Sequence, residues 1–166
     1  LIRFADILDG QIEQLNESFR KAIRDAGYHG KYRGVYPIKV NQQCEIVADI
    51  TEFGARYHHG LEVGSKTELI AAIACTRDPE ALIVCNGYKD EEFIDLALHA
   101  QRLGLQTIIV IEMPGELERI GARARRLHVL PRLGVRAKLS SRAGGNWDAS
   151  GGDRSKFGLD AAQVIE

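Results

Sequence analysis

The run Val35-Tyr36-Pro37-Ile38-Lys39-Val40-Asn41-Gln42-Gln43 decides what kind of parallel sheet this chain can build. Residues Tyr32 to Val40 are rich in β-branched and aromatic side chains, which predicts a short strand. Directly after it the chain reads Lys39-Val40-Asn41-Gln42-Gln43, without a glycine. A dinucleotide-binding open sheet needs Gly-x-Gly-x-x-Gly at that turn, so that the backbone can approach a pyrophosphate. The glycine-free turn removes most of the support for that reading.

Outward from this run the pattern repeats. Upstream, Leu8, Ile12, Leu15, Phe19 and Ile23 recur at helical spacing from Asp6 to Ala26, and Gly27 supplies the stop. Downstream, Asn41 is placed to cap a helix whose core face is Ile46, Val47, Ile50 and Phe53 and which ends at Gly54. Tyr57 to Val63 reads as a second strand, and Ser65-Lys66-Thr67-Glu68 as a capping box opening a helix through Ile73. Ala81–Cys85 is strand, Asp90 to Leu103 helix closed by Gly104, and Gln106–Ile111 strand. Pro114 suits the first turn of a further helix. Leu130–Leu139 is a fifth strand, a Gly- and Ser-rich loop spans Ser140–Asp153, and Asp160 caps a last helix. Strands spaced by about 25 residues, each followed by a helix, predict βα units on a parallel sheet. With the open nucleotide-binding sheet disfavoured, a (β/α)8 barrel remains, of which about five units are present.

Composition narrows the function classes. The chain has 166 residues, 22 Lys+Arg against 23 Asp+Glu, and a net charge of −1, so it carries no field to recruit nucleic acid. The arginine-dense stretch Arg119–Arg126 is interleaved with Ala and Leu and reads as a solvated helix face. The longest apolar runs, near Ala81–Cys85 and Thr107–Ile111, fall far short of the roughly 18 residues of a membrane span. Cys44, Cys75 and Cys85 form neither a disulfide framework nor a Cys-x-x-Cys metal site, so a reducing cytoplasm is expected. The only methionine is Met113, and the chain ends in a helix barely begun at Ala161. It therefore reads as a piece of a longer protein, about five-eighths of a barrel that takes roughly 250 residues. Its native N-terminus and any targeting signal are not legible.

In a βα barrel the chemistry sits at the C-terminal ends of the strands. Here those ends are Lys39-Val40-Asn41, Glu62-Val63-Gly64-Ser65, Cys85-Asn86-Gly87-Tyr88, Glu112, and Arg136-Ala137-Lys138, each carrying a polar or charged group. Period-two alternation puts Val35, Pro37 and Lys39 on one face. Lys39 has two readings: an edge lysine that discourages strand pairing, or an inward lysine whose desolvated amine can form a Schiff base. Adjacent His58 and His59 on a strand would face opposite ways and have no third ligand at metal-site spacing, so a structural role is expected. Cys85 reads as a buried small hydrophobe. The stem of Lys156 can pack on the barrel rim.

Four segments decide between the readings of Lys39. Tyr36–Gln42, Gly60–Leu69, Cys85–Asp90 and Gly151–Leu159, in that order and spacing, resemble segments of the biosynthetic arginine decarboxylases, and Leu1-Ile2-Arg3-Phe4 resembles the stretch before their barrel. The resemblance implies an alanine racemase-like, partial TIM (β/α)8 barrel that uses pyridoxal 5'-phosphate. Residues 1–31 would be a helix leading into the barrel, and 32–166 its first part, truncated at the C-terminal end. Lys39 would hold the cofactor covalently, with Arg136 beside it, Glu62 near the lysine and Asn86 facing the pocket. Glu68 corresponds to a second acidic position, or is only the capping-box acid.

The reaction implied is conversion of L-arginine to agmatine and carbon dioxide in polyamine biosynthesis, by a cytoplasmic homo-oligomer, with no nucleic-acid or membrane partner. Magnesium is associated with the family, although no oxygen-ligand cluster for it stands out. The phosphate cradle, the acid facing the pyridine nitrogen, the ring-stacking histidine and the specificity residues would all follow Glu166. The isolated piece is accordingly expected to be inactive. Alternatives are a decarboxylase of ornithine, diaminopimelate or lysine, a racemase or cofactor carrier on the same barrel, or a non-catalytic regulatory relative.

Overall fold

The computed structural model describes residues 4–138 and 155–165. Its elements are α1 (Ala5–Asp25), β1 (Val35–Pro37), α2 (Cys44–Gly54), β2 (Gly60–Val63), α3 (Lys66–Cys75) and β3 (Leu82–Cys85). Then come α4 (Glu91–Arg102), β4 (Gln106–Ile111), α5 (Glu116–Leu127), β5 (Leu133–Val135) and α6 (Ala161–Ile165). The five strands pair in parallel in the order β1-β2-β3-β4-β5. A doubly wound sheet reverses its strand order at a switch point, whereas a barrel wall adds strands in sequence. The observed order is that of a barrel wall, the closure left favoured by the glycine-free turn after β1.

The main core is made where strands meet helices. Leu61, Val63, Ile83, Cys85, Ile109 and Ile111 from the sheet pack with Val47, Leu69, Ala72, Phe93, Leu98 and Ile120 from the helices. A smaller cluster of Ile12, Ile50 and Tyr57 fastens α1 against α2. The stripe read along α1 is only partly used: Ile12 is buried, while Leu15 and Phe19 stay nearly half exposed. Phe19 instead stacks on Tyr32, ring centroids 4.0 Å apart.

Several boundaries differ from the sequence reading, each for a local reason. β1 ends at Pro37, which has no N–H to continue the ladder, and Ile38–Val40 turn as a 3-10 helix. The turn is held by the Tyr36 hydroxyl, which donates to the Asn41 carbonyl at 3.2 Å. Asn41 does not cap α2. Its Oδ1 accepts from the Gln43 amide at 3.0 Å, closing a local turn one step ahead of the helix. β2 starts at Gly60 because Ala55–Tyr57 form another 3-10 turn and His58 adopts left-handed φ. Gly60 is required where it stands: a Cβ there would lie 2.0 Å from the Leu82 carbonyl oxygen of the neighbouring strand. Pro114 precedes α5 rather than opening it, since Gly115 at φ 79° is the N-cap. The fifth strand is shorter than Leu130–Leu139, with Ala137 pairing singly with Leu159 beyond it. The Ser140–Asp153 loop lies outside the described residues.

Capping follows the sequence more closely. Ser65 Oγ accepts from the Glu68 amide at 3.3 Å, but Glu68 Oε2 reaches past Ser65 to the Gly64 amide at 2.6 Å. Asp90 caps α4 by accepting from the Phe93 amide at 2.9 Å, and Asp160 caps α6 through the Gln163 amide at 2.9 Å. Among the described residues no helix is long and apolar enough to cross a membrane.

The Arg119–Arg126 stretch proves to be half of an interhelical clamp. Arg123 Nε donates to Asp95 Oδ1 at 2.7 Å, its Nη2 meets the other oxygen, and its Nη1 reaches Glu91 at 2.9 Å, tying α5 to α4. The bond to Arg123 holds the Asp95 carboxyl below the usual carboxylate range. In the unfolded chain Asp titrates near about 3.9, so the stabilisation is complete above that pH and is lost as pH falls through the lower, folded value. Asp95→Asn is therefore expected to lower Tm at pH 7, with the deficit against the unmodified protein shrinking toward pH 3. Melting curves across that range check it, and a deficit that stayed constant with pH would contradict it.

Candidate active site

A cavity of about 810 Å³ opens at the C-terminal ends of the strands, and each strand or the turn that follows it contributes to it. Val35, Pro37 and Lys39 enter from β1 and its turn, Glu62 from β2, Asn86 to Tyr88 from the end of β3, Glu112 from β4 and Arg136 from β5. The four residues singled out in the sequence, Lys39, Glu62, Asn86 and Arg136, all line this one space.

Lys39, Glu62 and Asn86 form a chain of contacts. Lys39 Nζ donates to Glu62 Oε1 at 3.2 Å, and Asn86 Nδ2 donates to the same oxygen at 3.0 Å. Glu62 is buried, and its other oxygen, Oε2, meets no donor in the structure. Lys39 differs from expectation in its setting. Its side chain is 63% exposed and ion-paired, so this chain does not supply the desolvation that the inward reading invoked. Having left the strand at Pro37, the lysine reaches the cavity from a turn, which gives its long arm more freedom than a strand position would.

Arg136 faces the same cavity from the far side and is anchored by a residue that sequence reasoning did not select. Its Nη1 donates to Glu112 Oε1 at 2.7 Å. Glu112 is entirely buried, and its second oxygen accepts from the Gly87 amide. Gly87 has φ 80°, and a Cβ there would lie 2.7 Å from the Gly64 carbonyl oxygen, so the β3 turn passes close against the β2 turn.

Behind this wall lies a buried ionic cluster. Lys89, 1% exposed, places Nζ 2.5 Å from the Gly87 carbonyl, 3.4 Å from Glu112 Oε2 and 3.2 Å from Glu116 Oε1. Glu116 Oε2 accepts from the backbone amides of Glu112 at 2.8 Å and Met113 at 3.3 Å. The sequence held a partial signal: Glu112 closes a strand and Glu116 lies one helical turn on. Nothing local marked Lys89 as their partner.

The remaining candidates lie elsewhere. Glu68 sits in the first turn of α3, where its carboxylate accepts from the Gly64 amide at 2.6 Å and from Gln42 Nε2 at 3.2 Å, close to the capping-box role but one residue displaced from it. His58 precedes β2, at the opposite end of the sheet from Lys39, and its Nδ1 pairs with Asp78 at 2.9 Å. His59 is buried beside it, and burial pushes its imidazole pKa down. The two histidines sit in the turn before the strand rather than on opposite faces of it. Burial pushes the Cys85 thiol up to about 12, that of an inert core residue. Among the described residues no group of three His, Cys, Asp or Glu could hold a metal ion.

The arrangement offers one exposed primary amine tethered to a buried carboxylate, and a half-exposed guanidinium across the same space. It suits a ligand with a group reactive toward amines and an anionic portion.

Comparison with known proteins gives the family and the fold. The family described as pyridoxal-dependent decarboxylase, pyridoxal binding domain, matches residues 9–166. A biosynthetic arginine decarboxylase of Gloeobacter violaceus is 52% identical over 166 residues, covering all of this chain and 26% of the relative. Among solved structures, the biosynthetic arginine decarboxylase of Campylobacter jejuni aligns with a TM-score of 0.84 and 34% identity, over 98% of this chain and 26% of that one. A diaminopimelate decarboxylase of M. jannaschi aligns with a TM-score of 0.71 at 24% identity over 95% of this chain and 35% of that one, a likeness of fold alone. The chain thus spans about a quarter of the length of the curated relatives it matches.

Proposed function

From the chain's membership of the pyridoxal-dependent decarboxylases, through their pyridoxal-binding domain, we propose that the whole protein converts L-arginine to agmatine and carbon dioxide in polyamine biosynthesis. The observation that carries the reading is the convergence of Lys39, Glu62, Asn86 and Arg136 on one cavity at the strand ends. Similarity to arginine decarboxylases along the entire chain supports arginine as the substrate.

The residues present fit pyridoxal 5'-phosphate. Lys39 Nζ is an exposed amine at the cavity, and Glu62 Oε2 is a buried acceptor with no donor of its own, a costly state for a finished site. Lys39 would hold the cofactor covalently, with Arg136, Glu62 and Asn86 around it. When bound, the cofactor supplies an electron sink for the pair left on the substrate's α-carbon as carbon dioxide departs. The chain's own residues do the positioning. Asn86 fixes Glu62 Oε1, and Glu62 in turn fixes Lys39 Nζ and offers it a partner for proton exchange. Arg136 presents a permanent positive charge to an anionic group.

Residues 1–31 would lead into the barrel and 32–166 form its first part, with α1 fastened by its own small core. A cytoplasmic homo-oligomer belongs to the same reading, and the free thiols of Cys44, Cys75 and Cys85 suit a reducing compartment.

Carbon dioxide release from carboxyl-labelled amino acids tests the proposal on the full-length protein. L-arginine is expected to exceed L-ornithine, diaminopimelate and L-lysine in kcat/KM by at least about 10²-fold. Preference for one of the others would overturn the arginine assignment. Cofactor binding without release from any of them would make the protein a non-catalytic relative.

A further inference from the structure

We propose that Glu112 is a positioning residue, one buried carboxylate that fixes Arg136 on one side of the cavity and the Asn86–Gly87 turn on the other. The proposal rests on the reading above, in which Lys39 and Arg136 face the cofactor. The side chain of Glu112 is fully buried, yet each of its oxygens is committed to a different part of the cavity wall. Oε1 holds Arg136 Nη1 at 2.7 Å, and Oε2 holds the Gly87 amide. Gly87 follows Asn86, whose amide donates to the Glu62 oxygen that also meets Lys39 Nζ. Two lines of contact therefore start from one anchor, one to the guanidinium and one through Gly87, Asn86 and Glu62 to the lysine.

The anchor is held from behind. Its own backbone amide donates to Glu116 Oε2 at 2.8 Å, and the Nζ of Lys89 lies 3.4 Å from its side chain. The Lys89 carbonyl is held in turn by Arg119 Nη1 at 3.0 Å. Arg136 has no such backing: its side chain is 52% exposed, and Glu112 is the one carboxylate it meets among the described residues. A long side chain with a single charged tether regains its rotamers when the tether is removed. A cluster that served packing alone would close its ion pairs within itself, whereas this one extends an oxygen to each side of the cavity.

The test uses the full-length protein carrying Glu112→Gln, which keeps the shape and removes the charge. Glu112→Asp, which keeps the charge and withdraws it by one methylene, is carried in parallel. In cofactor-free protein, phenylglyoxal is expected to label Arg136 about fivefold faster in the Gln variant, its charged tether having been lost. Affinity for pyridoxal 5'-phosphate, titrated by visible absorbance, is expected to weaken about tenfold in both variants, the equivalent of one charge-assisted hydrogen bond. Unchanged labelling and unchanged affinity in a folded variant would overturn the proposal. So would failure of both variants to fold, which would mark the cluster as a structural staple. The labelling needs no cofactor, so it reads Glu112 even if the unmodified protein binds no pyridoxal 5'-phosphate and the proposed function falls.

Discussion

Lys39→Ala in the full-length protein is expected to reduce carbon dioxide release from L-arginine by on the order of 10³-fold or more, with little change in Tm. The two halves of that expectation come from different observations. The activity loss follows from chemistry: among the described residues lining the cavity, Lys39 carries the one primary amine. The small change in Tm follows from two features: the Lys39 side chain is 63% exposed, and the buried Glu62 it pairs with at 3.2 Å still accepts from Asn86 Nδ2 at 3.0 Å once the lysine is gone. Lys39→Arg separates charge from nucleophilicity. It can keep the pair with Glu62, yet a guanidinium does not deprotonate to a nucleophilic amine at neutral pH, so it should be as inactive as the alanine variant. Recovery of activity in the arginine variant would mean that Lys39 acts only as a charge.

The second large effect is on stability, at the other end of the same wall. Lys89→Met is expected to destabilise the fold by about 3–5 kcal/mol, because it leaves Glu116 buried with no cation among the described residues and Glu112 with Arg136 alone. The size follows from location. Lys89, Glu112 and Glu116 are all nearly or fully buried, so the charge left behind gains little from water. Chemical denaturation and susceptibility to proteolysis read the loss. Replacing Lys89, Glu112 and Glu116 together by apolar residues of similar volume should recover only part of it, since it removes the buried charges but leaves the amides of Gly87, Glu112 and Met113 without their carboxylate acceptors. That triple variant should nevertheless bind pyridoxal 5'-phosphate poorly, having lost the anchor of Arg136. Recovery of both stability and affinity would detach the ionic cluster from the site.

Much of this was legible in the sequence, and what was not has identifiable causes. The order of strands and helices follows from period changes and caps, which are local, and the glycine-free turn after β1 weighed against the competing sheet, which the strand order then ruled out. The place of Lys39 beside Val35 and Pro37 on one cavity was legible, although the strand alternation that suggested it stops at Pro37. The turn that delivers Lys39 was not, because it depends on Pro37 ending the ladder and on a Tyr36–Asn41 contact. The histidine pair was read on a strand because strand propensity does not register that His58 takes left-handed φ to meet Asp78. The ionic cluster was hidden for a more general reason. Lys89 lies 23 residues from Glu112, and in sequence a lysine beside an exposed tyrosine resembles any loop lysine. Only parallel pairing of β3 with β4 brings the two strand ends together.

The central claim is that Lys39 is where pyridoxal 5'-phosphate is held. Borohydride reduction of the full-length protein followed by peptide mapping tests it most directly. The account predicts a pyridoxyl group on the peptide containing Lys39 and its loss in Lys39→Ala. A pyridoxyl group on another lysine, Lys89 or Lys138 among them, or no stable label at all, would contradict it.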